Sequence, residues 1–133
     1  MTVGLSAVNL ANAWLNVVSG TTFTGAAGSF IQLHTSVGDP GAAGTTNVSS
    51  VTTRPSATWS AASAGSKAIT TTLPSWTSWA GTSPEIIGYV SDWSASSAGT
   101  FYFSAALTSN KTVQTGDTLT LNSLSVALAP IAA

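Results

Sequence analysis

The chain has 133 residues, no cysteine and a net charge of −1, from three basic and four acidic side chains. Charged residues make up 5% of the sequence, against roughly a quarter in an average soluble domain. So few basic groups cannot neutralise enough phosphates to bind nucleic acid, and the lack of cysteine excludes disulfides and thiolate metal sites. The length fits one domain, whose uncharged polar surface does little to keep copies apart. We therefore expect a protein that functions in an assembly.

The first 20 residues have the pattern of an amphipathic helix. Apolar residues recur at helical spacing over residues 5–18, and Asn occupies the polar face. Ser6 or Thr2 can cap the start of this helix, and Ser19-Gly20 can end it. Because the helix has a broad apolar stripe, it needs a docking surface on its own domain or on a neighbouring subunit. We predict that it is a docking element, whose assembly interface is formed by Leu10, Trp14, Leu15 and Val18.

After Gly20 the sequence changes to short β-prone runs separated by Gly, Pro, Ser and Asp. The clearest turn is Gly38-Asp39-Pro40-Gly41, where proline presets φ and glycine permits the reversal. The predicted strands are residues 30–35, 58–60, 66–73, 86–93, 100–107, 118–121 and 124–128. Short strands at this spacing are typical of an antiparallel β-sandwich. We therefore predict a mainly β fold, with the N-terminal helix at residues 1–20 and a β-sandwich domain at residues 21–133.

The sequence offers few groups for catalysis or metal binding. His34 is the single histidine and lies in a predicted strand, which favours a structural role over that of a catalytic base. Asp39 and Asp117 lie in turn sequences, so Glu85 and Asp92 form the one carboxylate pair that could approach a cleft. One histidine and scattered carboxylates give no metal-ligand spacing. We expect no enzymatic activity, no cofactor and no metal.

The five tryptophans are the one enrichment that could indicate a ligand, because sugars stack on exposed indole faces. We assign Trp14, Trp59 and Trp93 to the core or to a subunit interface. Trp76 and Trp79 lie in a segment bounded by prolines that we interpret as a loop, where exposed indoles would form a contact or glycan-binding patch. Interface or core is favoured over a glycan site for this pair, because such patches more often serve protein contacts.

Several short sequence segments occur in an order that resembles a known family. They are Leu33-His34-Thr35 with the turn after it, Thr58–Ser63, Ile87–Ala95, Gly99–Phe101, Ser104–Leu107 and Thr115–Leu119. Together they are similar to small virion proteins of tailed bacteriophages, of the head-decoration, minor-tail or tail-fibre type. The resemblance implies a β-sandwich or jelly-roll body, threefold assembly and no catalytic motif.

Within that family the N-terminal helix favours a head protein, because a fibre fragment usually carries a heptad stem and this chain has no heptad run. We predict a capsid decoration (cement) protein that stabilises the head through subunit contacts. It would form a homotrimer, contact the major capsid protein or tail proteins, and bind neither nucleic acid nor membrane. The alternatives are a tail-fibre or baseplate component and a receptor-binding tip that recognises glycans.

The start of the chain also bears on where the protein is made. Asn residues interrupt its first apolar stretch, and no Lys or Arg precedes that stretch. Neither a signal peptide nor a membrane span fits this pattern. We therefore expect assembly in the cytoplasm of the bacterial host and a final location in the virion.

Overall fold

The computed structural model describes residues 3–23 and 29–129. Within them, all strand pairs are antiparallel and form one three-stranded sheet, β1-β4-β5, and two two-stranded ladders, β2-β7 and β3-β6. The strands are β1 (Phe30–Thr35), β2 (Ser66–Ala68), β3 (Ser75–Trp76), β4 (Glu85–Trp93), β5 (Phe101–Val113), β6 (Leu119–Thr120) and β7 (Ser125–Ala127). The predicted mainly β, antiparallel fold with one N-terminal helix is confirmed. The jelly-roll-like sandwich and the division at residue 20 stay predictions.

The N-terminal helix changes its winding along its length. It begins as a π-helical turn at Ala7–Ala11, continues as the α-helix α1 (Asn12–Asn16) and ends as a 3-10 turn at Val17–Ser19. None of the helices in the described residues is long and apolar enough to cross a membrane.

The ends of this helix follow the sequence signals. Ser6 caps the start, because its Oγ accepts a hydrogen bond from the backbone N–H of Asn9 at 3.3 Å. Gly20 ends the helix with a φ of 84°, a left-handed conformation that glycine adopts without steric cost. Thr2, the alternative cap, lies outside the described residues.

The centre of the fold is β4, which pairs with β1 on one side and β5 on the other. Both β1 and β4 are largely buried, and their polar residues Gln32, His34, Ser91 and Asp92 are buried with the apolar ones. In β5, Phe101 and Phe103 point inward while Tyr102 is half-buried, as predicted from the alternation at the start of this strand. Backbone hydrogen bonds from Ser6 to Tyr102 and from Ser104 to Gly4 tie the chain before the helix to β5.

One hydrophobic core joins the central sheet to the two ladders. Its buried members are Ile31, Leu33, Ile69, Trp76, Trp79, Ile87, Val90, Phe103, Val113 and Leu124. Ile69 and Leu124, which flank the β2-β7 ladder, are joined by a backbone hydrogen bond of 2.9 Å. The short ladders therefore close the core by placing a few large side chains on the central sheet.

The short strands differ most from the sequence prediction. Residues 58–60 contribute a single bridge, between Trp59 and Ile69, and the strand predicted at 66–73 ends at Ala68. By contrast, β5 runs six residues beyond the predicted end, to Val113. The segment interpreted as a loop contains β3, which pairs Trp76 with Leu119. A two-residue strand is too short for an alternating pattern to reveal it.

Candidate functional site: an aromatic cavity beside Asp92

Trp76 and Trp79 belong to the core. Their side chains are 3% and 1% exposed, so the prediction that they form an exposed contact or glycan patch is wrong, and the core alternative holds. Pairing of β3 with β6 turns Trp76 inward, where its Nε1 donates a hydrogen bond to the Thr53 carbonyl at 2.9 Å. Trp79 Nε1 donates to the Thr82 carbonyl at 3.0 Å. Buried indoles with satisfied N–H groups offer no face to a ligand.

The four residues predicted as the assembly interface divide between two environments. Leu10 is buried and Trp14 is half-buried, and both line a cavity against the β domain, so Leu10 is not available to another subunit. Leu15 and Val18 are 68% and 89% exposed. Val8 and Val17 are 80% and 49% exposed, and we call these four apolar side chains the exposed helix residues.

The carboxylates of Glu85 and Asp92 do not meet. They occupy the two ends of β4, seven residues apart, which at about 3.3 Å per residue is on the order of 20 Å. Glu85 accepts hydrogen bonds from Ser49 Oγ, from the Ser50 backbone and from Ser50 Oγ at 2.8–2.9 Å. Two carboxylates that act on one glycosidic bond lie within about 10 Å of each other. The pair that the sequence left open is therefore not brought together.

His34 has the structural role that the sequence predicted. It is fully buried, its Nδ1 lies 2.9 Å from the Thr46 carbonyl and its Nε2 lies 2.6 Å from Ser91 Oγ. A carbonyl only accepts, so Nδ1 carries the proton and Nε2 accepts from the Ser91 hydroxyl, which in turn accepts from Trp93 Nε1 at 2.8 Å. Burial lowers the pKa of His34, against the hydrogen bond to Thr46. The imidazole is thus held neutral, with both nitrogens occupied.

Arg54 is also engaged within the fold. Its guanidinium lies 3.9 Å from the centre of the Trp93 ring, and its nitrogens donate to Gln32 Oε1 at 3.0 Å and to the Ala98 carbonyl at 2.7 Å. Within the described residues, no group of three or more His, Asp or Glu side chains could hold a metal ion.

A cavity of about 480 Å³ lies between the N-terminal helix and the β domain. Helix residues Leu10 and Trp14 form part of its wall, and β4 contributes Asp92. Lys67 of β2 supplies a second charged group. Five aromatic side chains line the cavity: Trp14, Phe23, Trp59, Tyr102 and Phe103.

Asp92 is the buried acid of this cavity. Burial raises the pKa of Asp92 to about 6, against the hydrogen bond from Ser29 and the charge of Lys67, which lower it. The Ser29 hydroxyl donates to Asp92 Oδ1 and accepts from Trp59 Nε1 at 2.7 Å. Burial makes ionisation of this carboxyl group costly. Such a group in a cavity wall is typical of a binding or catalytic position.

Trp59 is held in a fixed orientation beside this acid. Its ring contacts Phe103 edge-on, with centroids 6.0 Å apart and planes at 70°, and Lys67 Nζ lies 5.7 Å from its ring centre. The sequence interpretation placed Trp59 in the core or at an interface and did not single out Ser29 or Lys67. No local motif marks these residues, because they come from separate segments that converge only in the fold.

Comparison with known proteins identifies a family. The model of the family described as Podophage GP4 fiber I protein gp80 matches residues 5–129, which is nearly the whole chain. No match was found among the curated proteins. The match confirms the sequence resemblance to tailed-phage virion proteins, and the chain is a phage virion structural protein. The description of this family names a fibre protein and gives no support to capsid decoration. The tail-fibre alternative therefore fits better than the prediction of a capsid decoration protein. The chain belongs to the family of the podophage GP4 fiber I protein gp80.

Proposed function

We propose that this chain is a structural component of the phage tail fibre. The observation that carries the proposal is the fibre-protein family match over residues 5–129. The lack of heptads, which favoured a head protein at first, argues only against a coiled-coil stem. A compact β domain with a short helix is compatible with a globular part of a fibre.

The proposed role is assembly, with copies of itself as a homotrimer and with other tail proteins. The exposed helix residues Val8, Leu15, Val17 and Val18 support it. Burying one Leu or Val side chain that would otherwise face water contributes about 1.5–3 kcal/mol. Since the chain has 5% charged residues, little electrostatic repulsion opposes contact between copies.

The role we propose is not enzymatic. Glu85 and Asp92 lie at opposite ends of β4, and the His34 imidazole is buried with both nitrogens hydrogen bonded. Neither arrangement supports acid–base chemistry on a bound substrate, because a catalytic group must reach the proton that it transfers.

The substitution Leu15→Asp is expected to disrupt assembly while leaving the fold intact. Leu15 is 68% exposed, so an aspartate there stays hydrated in the single chain but would be buried at an interface, where an unpaired charge is costly. Light scattering after size-exclusion chromatography should give a trimer for the wild type and a monomer for the variant, with equal far-UV circular dichroism.

The matched control is Asn122→Asp, which adds the same charge at an exposed position outside the helix. It should remain a trimer. A monomeric wild type, or a Leu15→Asp variant with the oligomeric state of the wild type, would show that these residues do not drive self-association.

The location on the particle has its own test. Gold-labelled antibodies raised against the purified chain should decorate the tail of intact virions in electron micrographs. Gold distributed over the head surface would refute the fibre proposal.

A further inference from the structure

We propose that the aromatic cavity beside Asp92 binds a neutral sugar ring. This inference goes beyond the assembly role and does not rest on it, because it uses the side of the helix that faces the β domain. Leu10 and Trp14 line the cavity, whereas Leu15 and Val18 are exposed to solvent.

The aromatic wall suits a ring with an apolar face. Pyranose rings present C–H groups on one side, which pack against indole and phenol faces. Trp59 is suited to such a contact, because the hydrogen bond to Ser29 and the edge contact with Phe103 fix its orientation before any ligand arrives. An aromatic group that is already oriented loses little conformational entropy on binding.

Asp92 provides the polar half of the site. Its Oδ1 is occupied by Ser29. Asp92 Oδ2 has no hydrogen-bond partner in the described residues. In those residues, every side-chain oxygen that is sealed from solvent has a partner. Oδ2 is therefore accessible, and since Asp92 lines the cavity, it can accept a hydrogen bond from a ligand hydroxyl there. A hydrogen bond to a charged acceptor is about twice as strong as one between neutral groups.

The charges of the cavity select against other ligand classes. Lys67 lies over the Trp59 ring, which opposes the binding of an organic cation in the aromatic cage. Asp92 opposes an anion, and a purely apolar ligand would leave Asp92 Oδ2 in the cavity without a hydrogen-bond partner. A neutral, polyhydroxylated ring meets all three conditions, because it stacks on Trp59, donates to Asp92 and accepts from Lys67. The volume of about 480 Å³ accommodates a mono- or disaccharide.

The test follows the five indole N–H signals of the chain by NMR while a sugar is added. The probes are methyl β-D-glucopyranoside and N-acetylglucosamine, with N-acetylneuraminic acid and choline as charged comparisons. We expect saturable shifts of the Trp14 and Trp59 signals with at least one neutral sugar, while the signals of the buried Trp76, Trp79 and Trp93 stay in place. Asp92→Asn and Trp14→Ala should each weaken binding about tenfold or more.

The outcomes separate this proposal from the proposed assembly role. Leu15→Asp should lose the oligomer yet keep the sugar-dependent shifts, since Leu15 does not line the cavity. No shift with either neutral sugar up to about 50 mM would overturn the proposal. So would binding of only the charged probes, or sugar binding that is unchanged in Asp92→Asn.

Discussion

Replacing Trp79 with alanine is expected to lower the free energy of unfolding by about 3–5 kcal/mol, the range measured for large aromatic residues removed from cores. Trp79 is 1% exposed and packs in the core, although it lies outside every strand. Its backbone also joins two loops, because its N–H donates to the Asp117 carbonyl and its carbonyl accepts from the Gly116 N–H. The substitution therefore leaves a cavity at the point where these loops meet.

Urea denaturation followed by circular dichroism gives this loss directly. The matched control is Trp14→Ala, which removes the same side chain from a half-buried position and should cost about 1–2 kcal/mol. If Trp79→Ala leaves too little folded protein to measure, Trp79→Phe keeps most of the volume and should show a smaller loss of the same sign. Equal losses for Trp79→Ala and Trp14→Ala would contradict the central position of Trp79.

The second large effect concerns Asp92 and pH. Burial raises the pKa of Asp92 to about 6 in the folded chain, above its ordinary value of 3.8. Between these two values the folded state holds a proton that the unfolded state has lost, so the free energy of unfolding falls as the pH rises through this window. Above pH 6 the cost of ionising the buried acid is fully present, and it is on the order of 2–3 kcal/mol.

Asp92→Asn removes this cost and keeps an oxygen that can accept the Ser29 hydrogen bond. We therefore expect the variant to be more stable than the wild type by on the order of 2 kcal/mol at pH 8, with a difference near zero at pH 4. The measurement is the difference in urea midpoint between the two proteins across that pH range. A variant that is less stable than the wild type at pH 8 would refute this account of the acid.

His34 must be separated from Asp92 in this experiment. Burial lowers the pKa of His34, so its contribution to stability is present above pH 6.5 and is lost as the pH falls, which is opposite in sign to that of Asp92. Both proteins contain His34, so the difference between them cancels its contribution. Asp117→Asn, which removes the same charge from an exposed turn, should show no comparable gain at pH 8.

A stabilising substitution that abolishes sugar binding would be informative about the cavity. An acid that weakens the fold at neutral pH is expected to persist where it serves a function. If Asp92→Asn gains stability and loses sugar binding, the role of Asp92 in binding explains why the costly buried carboxylate is present.

The sequence predicted the fold where its signals are local. The strand at residues 30–35 was visible as a β-prone run that stops at a clear turn, and the start of β5 was visible because its alternation reflects burial of one face. The helix and its ends were visible because Ser6 and Gly20 act on backbone groups within one turn. These features depend on neighbours in sequence.

The candidate site could not be predicted in this way. Trp76 and Trp79 are buried because β3 pairs with β6 and because the loop carrying Trp79 folds onto residues 116–117, contacts far apart in the chain. The cavity brings Trp14 near Trp59 and Asp92 by the same kind of long-range packing. Asp92 was noted as a carboxylate at a strand end, but its environment is set by Ser29 and Trp59, which no spacing rule connects to it.

The placement of the charges has a consequence for the medium in which the particle works. Of three basic and four acidic side chains, Glu85 and Asp92 are buried and Arg54 is stacked on Trp93. The remaining four balance in sign: Lys67, Lys111, Asp39 and Asp117. The surface charges therefore create almost no electrostatic field that dissolved ions could screen. Contacts between apolar residues are not weakened by added salt. A virion protein with this surface would keep its contacts in dilute as well as in saline water.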